Sequence, residues 1–185
     1  MNYHNITYPD QNNGDGLRIV LWVAGCEHHC TNCQNQQTWS PQGGIPFDKN
    51  AMNEILNELK KDYISGITFS GGDPLHPKNV QNVLKIVDEI RVSYPAKNIW
   101  LYTGYTWEEI WIKNNIKTDD KIKDMREKAI KNLRRQVVRM CDVLIDGRYV
   151  DELRDISLHW RGSSNQRVIN VQETLKQNQI VLWES

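Results

Sequence analysis

Three thiols and two imidazoles crowd into the stretch GCEHHCTNCQNQ (25–36), as Cys26, His28, His29, Cys30 and Cys33. The spacing C-x3-C-x2-C lets one tight loop aim three thiolates at a common centre, and such a centre has two chemical uses. A structural zinc ion closes its shell with four ligands. His28 or His29 would have to be the fourth, yet both lie inside the first gap, where chelation together with Cys26 and Cys30 is sterically awkward. A four-iron cluster can sit on three cysteines and leave one iron open to a small chelator. No distant C-x2-C or H-x3-H pair completes a zinc finger. The remaining cysteine, Cys141, opens an apolar run and is expected to point into a core. Spacing alone leaves both uses open.

Other stretches carry polar chemistry without a metal pattern. SGGDP (70–74) is either a tight turn with Pro74 near the first helical position, or a place where Gly71 and Gly72 let backbone carbonyls approach a ligand, with Asp73 beside them. Asn32 and Gln34 flank Cys33 and can pin the loop through side-chain hydrogen bonds. Thr103 ends an apolar run. Arg148, in DGRY (146–149), is either a two-pronged donor for a carboxylate or a solvated surface arginine. His28 and His29 read as exposed loop residues. RGSSNQRVI (161–169) has amides and hydroxyls suited to binding a ligand, capping a turn or facing a partner. Lys128, Lys131, Arg134, Arg135 and Arg139 form a basic helix end that complements the helix dipole, with partner docking as the alternative.

These residues need elements to position them. LRIVLWVAG (17–25) reads as a buried strand feeding the cysteine loop. Asp48 can cap a helix over 49–62, with Met52, Ile55, Leu56 and Leu59 on one face. GITFS (66–70) is a second strand, and Val80, Val83, Leu84, Val87 and Ile90 mark a second helix ending before Pro95. NIWLYT (98–103) is a third strand, after which Thr106 and Glu109 have capping-box spacing. Residues 119–139 favour a helix, CDVLIDG (141–147) a fourth strand, and QRVINV (166–171) and QIVLW (179–183) a fifth and an edge strand. Alternating strands and helices give an α/β domain with a mainly parallel sheet. Four clear units are too few for a closed barrel of about 250 residues. The expected architecture is an open partial (βα) barrel, with a doubly wound sheet as the alternative. The cysteine loop, GGDP, TGY and DGRY each follow a strand directly, which places all of them on the one sheet edge where ligands bind in parallel α/β folds.

Bulk properties agree with one soluble domain over residues 1–185. The 23 basic and 23 acidic residues balance, so net charge gives no reason to expect a nucleic-acid or membrane partner. The polar start MNYHNITYPDQNNGDG lacks a signal-peptide pattern, and no apolar run approaches the roughly 18 residues needed to span a bilayer. A cytoplasmic setting follows, where clustered cysteines serve metals or catalysis rather than disulfides.

The string GDGLRIVLWVAGCEHHCTNCQNQ, with Gly14, Gly16, Arg18, Gly25, the three cysteines and Asn35, resembles the radical S-adenosylmethionine (SAM) superfamily and, within it, the activating enzymes of glycyl-radical proteins. Trp22 stands where that signature usually has phenylalanine. QTWSPQGGIPF, SGGDPLHPKNV, IWLYTGY, VLIDGRYV and SLHWRGSSNQRVI resemble the branch whose partner is the large subunit of anaerobic ribonucleoside-triphosphate reductase, while residues 112–135 match it less clearly. The resemblance implies an open partial barrel of radical SAM type and a [4Fe-4S] cluster on Cys26, Cys30 and Cys33, with SAM on the open iron. It implies SAM contacts from Gly71, Gly72 and Asp73, and from Asn32, Gln34, Thr103 and Arg148. Asn32 stands where many members carry an aromatic that packs on adenine. No catalytic side chain is implied beyond the cluster and SAM, and a low-potential donor such as flavodoxin is required. Two alternatives stand beside it: activation of another glycyl-radical enzyme of the pyruvate formate-lyase type, and a non-catalytic zinc-binding interaction module.

Overall fold

A computed structural model of the chain describes residues 1–111 and 121–184. Among these described residues, seven strands form one open sheet in the order β3-β1-β2-β4-β5-β6-β7. Its middle is parallel: β2 (Leu17–Val23), β4 (Ile64–Gly71), β5 (Asn98–Tyr102) and β6 (Val143–Asp146). The flanks are antiparallel, with β1 (Asn2–Asp10) on β2, the short β3 (Ile45–Pro46) on β1, and β7 (Arg167–Asn170) on β6. The sheet is therefore mixed and not closed, and four of the parallel expectations hold at its centre.

The helices α1 (Lys49–Leu59), α2 (Val80–Ser93), α3 (Trp107–Trp111), α4 (Lys121–Arg139) and α5 (Val171–Gln177) all bury their apolar sides in one cluster. That cluster takes alternate strand residues: Ile19, Leu21, Val23, Ile67, Phe69, Ile99, Leu101, Leu144 and Ile169. The side-chain period of two sends the others to the opposite face. There Trp100, Val143, Ile145 and Val168 pack with Tyr102, Trp160 and Trp183. A doubly wound sheet needs helices on both faces; among the described residues, none joins this second cluster. The doubly wound alternative is thereby corrected.

Local chemistry sets the helix starts. Asp48 caps α1, accepting from the Ala51 amide at 3.0 Å. Thr106 and Glu109 form the reciprocal box at α3, each accepting from the other's backbone amide at 3.2 and 2.8 Å. Arg18 is wholly buried on the second face. It donates to Thr68 Oγ1 and the Ile67 carbonyl at 2.8 Å each and to the Asp15 carbonyl at 2.9 Å, with its guanidinium 5.1 Å from the Trp100 ring centre. Burial lowers its pKa to about 10, and its contacts tie the glycine-rich turn before β2 to β4 and β5.

One expected element, the strand QIVLW, needs correction, and two further elements stand where the sequence pattern predicts none. The polar N-terminus forms β1, whose buried Tyr3 and Ile6 sit three residues apart across a register shift, so simple alternation is broken. QIVLW makes one bridge, Ile169 to Leu182, instead of an edge strand. VQETLKQ is α5, capped by Asn170 on the Glu173 amide at 3.1 Å. Residues 119 and 120 of the expected helix, and 112–118 before them, lie outside the described residues. No helix among the described residues is long and apolar enough to cross a membrane.

Candidate functional site

Parallel strands deliver their following loops to one edge, and here those loops surround a single cavity of about 770 Å³. Its walls include Cys26, Cys30, Cys33, Asn32 and Gln34 after β2; Gly71 at the end of β4, with Gly72 and Asp73 after it; and Thr103 and Gly104 after β5. Gly147 and Tyr149 follow β6, and Trp22, Ser70 and Tyr102 belong to the strand ends themselves.

The cysteine loop is pinned where it leaves β2. Gly25 donates to the Thr38 carbonyl at 2.7 Å and Cys26 to that of Trp39 at 3.0 Å, so the loop closes on itself through a 3-10 turn at Gln36–Thr38. Between the cysteines, His29 and Asn32 take left-handed backbone with φ of 48° and 54°, a conformation asparagine tolerates better than most residues. The Asn35 amide donates to Cys33 Sγ at 3.4 Å. The backbones of His28 and His29 at Cys26, and of Tyr149 at Cys30, act to lower the pKa of these thiols. Such contacts stabilise sulfur that carries negative charge.

All three thiols are free and half-buried. Burial pushes Cys26 up to about 11 and raises Cys30 as well, so a bound cation must offset the cost of their thiolate forms. As they stand, no three His, Cys, Asp or Glu side chains among the described residues are gathered to hold a single metal ion. Three half-buried thiols on one cavity wall supply the kind of donor that a [4Fe-4S] cluster takes. Cys141 is fully buried in the helix-side core, as its apolar run implied.

Asp73 joins the loops. Its carboxylate accepts from the Leu75 amide at 2.8 Å, from the Thr103 hydroxyl at 2.9 and 3.0 Å, from the Gly104 amide at 3.0 Å and from His28 Nε2 at 2.6 Å. A carboxylate only accepts, so Nε2 is the protonated ring nitrogen. The expectation of an exposed His28 is overturned: its side chain is 4% exposed and stacks edge-on against Tyr105 at 4.5 Å. His29 is exposed, as expected, and lies 4.7 Å from Trp39. A Cβ on Gly104 would meet the His28 ring at 2.3 Å, and one on Gly72 would meet the Gly25 carbonyl oxygen at 2.6 Å. Both glycines let neighbouring loops touch. Backbone bonds from Gly72 to the Val23 carbonyl and from Asp73 to that of Gly25, each 2.8 Å, bind the GGDP turn to the start of the cysteine loop. Asn79 starts α2 without capping it; its amide instead donates to the Ala24 and Asp73 carbonyls at 2.9 and 3.0 Å.

The remaining residues divide. Asn32 donates to Asp151 at 2.6 Å, Gln34 is exposed on the cavity wall, and the Thr103 hydroxyl is committed to Asp73. Arg148 is not on the cavity wall; it is 46% exposed and pairs with Glu109 at 3.1 Å. The guanidinium groups on the wall are Arg154 and Arg161, which the spacing did not mark. RGSSNQR proves to be a clasp. Gln166 receives the Gly162 and Ser163 amides at 3.0 and 3.2 Å and donates to the Gly147 carbonyl at 2.9 Å, and Asn165 donates to that of Arg148 at 2.8 Å. On the basic helix, Arg134 donates to the Leu75 carbonyl at 2.8 Å and Arg135 to that of Ile110 at 2.9 Å, so both brace the rim.

Comparison with known proteins matches residues 12–169 to a 4Fe-4S single cluster domain. Relatives named anaerobic ribonucleoside-triphosphate reductase-activating protein align almost end to end. The one from Escherichia coli K12 is 42% identical over 170 residues, covering 91% of this chain and 97% of the relative. That of Haemophilus influenzae is 40% identical over 168 residues, covering 90% and 96%. That of Enterobacteria phage T4 is 39% identical over 168 residues, covering 91% and 93%.

Proposed function

The chain belongs to the family of anaerobic ribonucleoside-triphosphate reductase-activating proteins, and from that premise we propose that it is a radical SAM activase acting on an anaerobic ribonucleotide reductase. In this reading Cys26, Cys30 and Cys33 hold a [4Fe-4S] cluster whose fourth iron is left for SAM. The observation that carries it is the shared cavity: three half-buried thiols face the glycine turn Gly71–Gly72, and Asp73 bonds the two loops through His28. Held by these cysteines with SAM on its open iron, the reduced cluster would supply one electron for cleavage of SAM to methionine and a 5′-deoxyadenosyl group able to take the α-hydrogen of a glycine in the partner.

The chain's own residues bind, orient and exclude water. The backbone of Gly71, Gly72 and Asp73 offers carbonyls to the ammonium of SAM, while the Asp73 side chain, fully engaged by loop donors, fixes where they stand. Asn32 and Gln34, on the cavity wall beside Cys33, would contact SAM, and Thr103 would act through Asp73. Arg161, steadied by donation to the Gln166 carbonyl at 2.7 Å, and Arg154 are placed on the wall to take a carboxylate. Arg148 reaches one only by leaving Glu109. Backbone groups beside the three sulfurs tune the cluster potential, and a low-potential carrier such as flavodoxin would reduce it. The four parallel strands with the cavity at their C-terminal ends support an open partial barrel of radical SAM type in one domain, and reduced thiols suit the cytoplasm.

Anaerobic reconstitution tests the reading. About four irons with matching sulfide, 5′-deoxyadenosine formed under dithionite, and a glycine-centred radical on the reductase are expected. Colourless protein holding zinc, with SAM untouched, overturns it.

A further inference from the structure

Residues 150–162 form a lobe beside the cavity mouth, and it is anchored on every side but one. Asp151–Leu153 make a 3-10 turn, and the bridge between Arg154 and Ser163 closes the loop above it. At the base, the Val150 amide donates to buried Ser163 Oγ at 3.2 Å and the Ser164 amide to the Leu153 carbonyl at 2.9 Å. Inward, Trp160 sits edge-on to Trp100 at 5.0 Å. Toward the cysteine loop, Asp151 accepts from Asn32 Nδ2 and the Tyr149 hydroxyl at 2.6 Å each. The free side nevertheless holds Ile156 at 89% exposed and Leu153 at 43%. Ile156 and Leu158 also belong to the cavity wall, so these apolar side chains border the site itself.

Single exposed apolar residues need no explanation, but apolar residues grouped on the lip of a functional cavity mark a contact. The charges around them, Asp151, Glu152 and Asp155 against Arg154 and Arg161, are mixed in sign and select no strongly charged occupant. What must cross this lip follows from the function. Hydrogen transfer needs the reacting atoms about 3–3.5 Å apart, so the partner's glycine has to enter the cavity and the residues flanking it have to lie across the mouth. We propose that the lobe 151–162 is the docking lip for the glycine-bearing segment of the reductase, with Ile156, Leu158 and Leu153 packing against apolar side chains on one flank of that glycine. This inference rests on the activase reading, and Asp151 gives it a consequence: the surface that receives the partner is bonded to the residue between the second and third cluster ligands.

The test uses reconstituted holoprotein, SAM, dithionite and the reductase, comparing wild type with Leu153→Asp, Ile156→Asp and Ile156→Leu. Partner-free 5′-deoxyadenosine formation reports the cluster and SAM; the reductase concentration giving half-maximal glycyl radical by paramagnetic resonance reports docking. Leu153→Asp, whose side chain is off the cavity wall, is expected to keep partner-free cleavage. Both aspartate variants are expected to raise the half-saturating reductase concentration about tenfold or more, and Ile156→Leu to restore it. Wild-type half-saturation in both aspartate variants overturns the docking lip while leaving the activase intact. Loss of partner-free cleavage in Ile156→Asp, with docking through Leu153→Asp unchanged, also overturns it and assigns the lip to SAM. If Ile156→Asp abolishes self-association and leaves reductase half-saturation unchanged, the lip seats a second copy of the chain and the proposal fails. A wild-type protein that cleaves no SAM refutes the activase itself.

Discussion

Asp73→Asn separates an organiser of the site from a direct ligand. Asn has the shape of Asp but turns one acceptor into an amide donor. With the amide nitrogen on one side, it faces the Leu75 amide and the Thr103 hydroxyl; turned over, it faces the Gly104 amide, the same hydroxyl and His28. The hydroxyl and the imidazole can adapt by reorienting a proton, whereas the backbone amides cannot. At least one buried donor is stranded, and the others lose a charged acceptor. Hydrogen bonds to charged groups contribute about 1.5–3 kcal/mol each, and a stranded buried donor costs about 1–3 kcal/mol. With partial adaptation, the expected loss is about 2–4 kcal/mol. For a domain of this size that is a fall in Tm of roughly 4–16 °C, read by anaerobic thermal unfolding of the reconstituted protein. SAM half-saturation should rise as well, because Gly71 and Gly72 share the turn that Asp73 fixes. A double-mutant cycle with Thr103→Val should give a coupling of about 0.5–3 kcal/mol. A Tm within about 2 °C of wild type, with zero coupling, would refute the hub.

Replacing Cys26, Cys30 or Cys33 by Ala should each abolish cluster retention, whereas Cys141→Ala should keep full iron content at a stability cost of about 1–2 kcal/mol, read by iron analysis and urea unfolding. Arg161→Ala should raise SAM half-saturation by about tenfold, while Arg148→Ala, which breaks an exposed pair, should change it less than about twofold; isothermal binding of SAM to holoprotein distinguishes them. Hydrogen bonds from Arg167 lower the Glu108 pKa below its ordinary 4.5. A depressed carboxylate contributes stability that is fully present above its unfolded value and is lost as pH falls through the folded one. Glu108→Gln should therefore flatten stability against pH below about 4.5 and leave pH 7 within about 1 kcal/mol, since the pair is partly solvated.

The cysteine spacing, the strand that feeds it, the glycine turn after β4 and the grouping of four loops at one edge were all legible in the chain, because each is a local pattern: period-two burial, a breaker, a fixed ligand spacing. The caps at Asp48 and Thr106 were legible for the same reason, spanning three residues each. Partnership across long separations was not. His28 reads as a loop residue until Asp73, 45 positions away in sequence, arrives at 2.6 Å. The sequence marks Arg148 and passes over Arg161; the clasp of Asn165 and Gln166 holds the backbone of one and sets the other on the cavity wall. β1 has no strict alternation to mark it, because a register shift interrupts its pairing with β2, and the exposed lip at Ile156 is defined by what the fold leaves uncovered. The sequence by itself determined which chemistry the loop can hold. The tertiary structure alone decided which side chains stand around it, since hydrogen bonds and burial depend on distances that chain connectivity does not constrain.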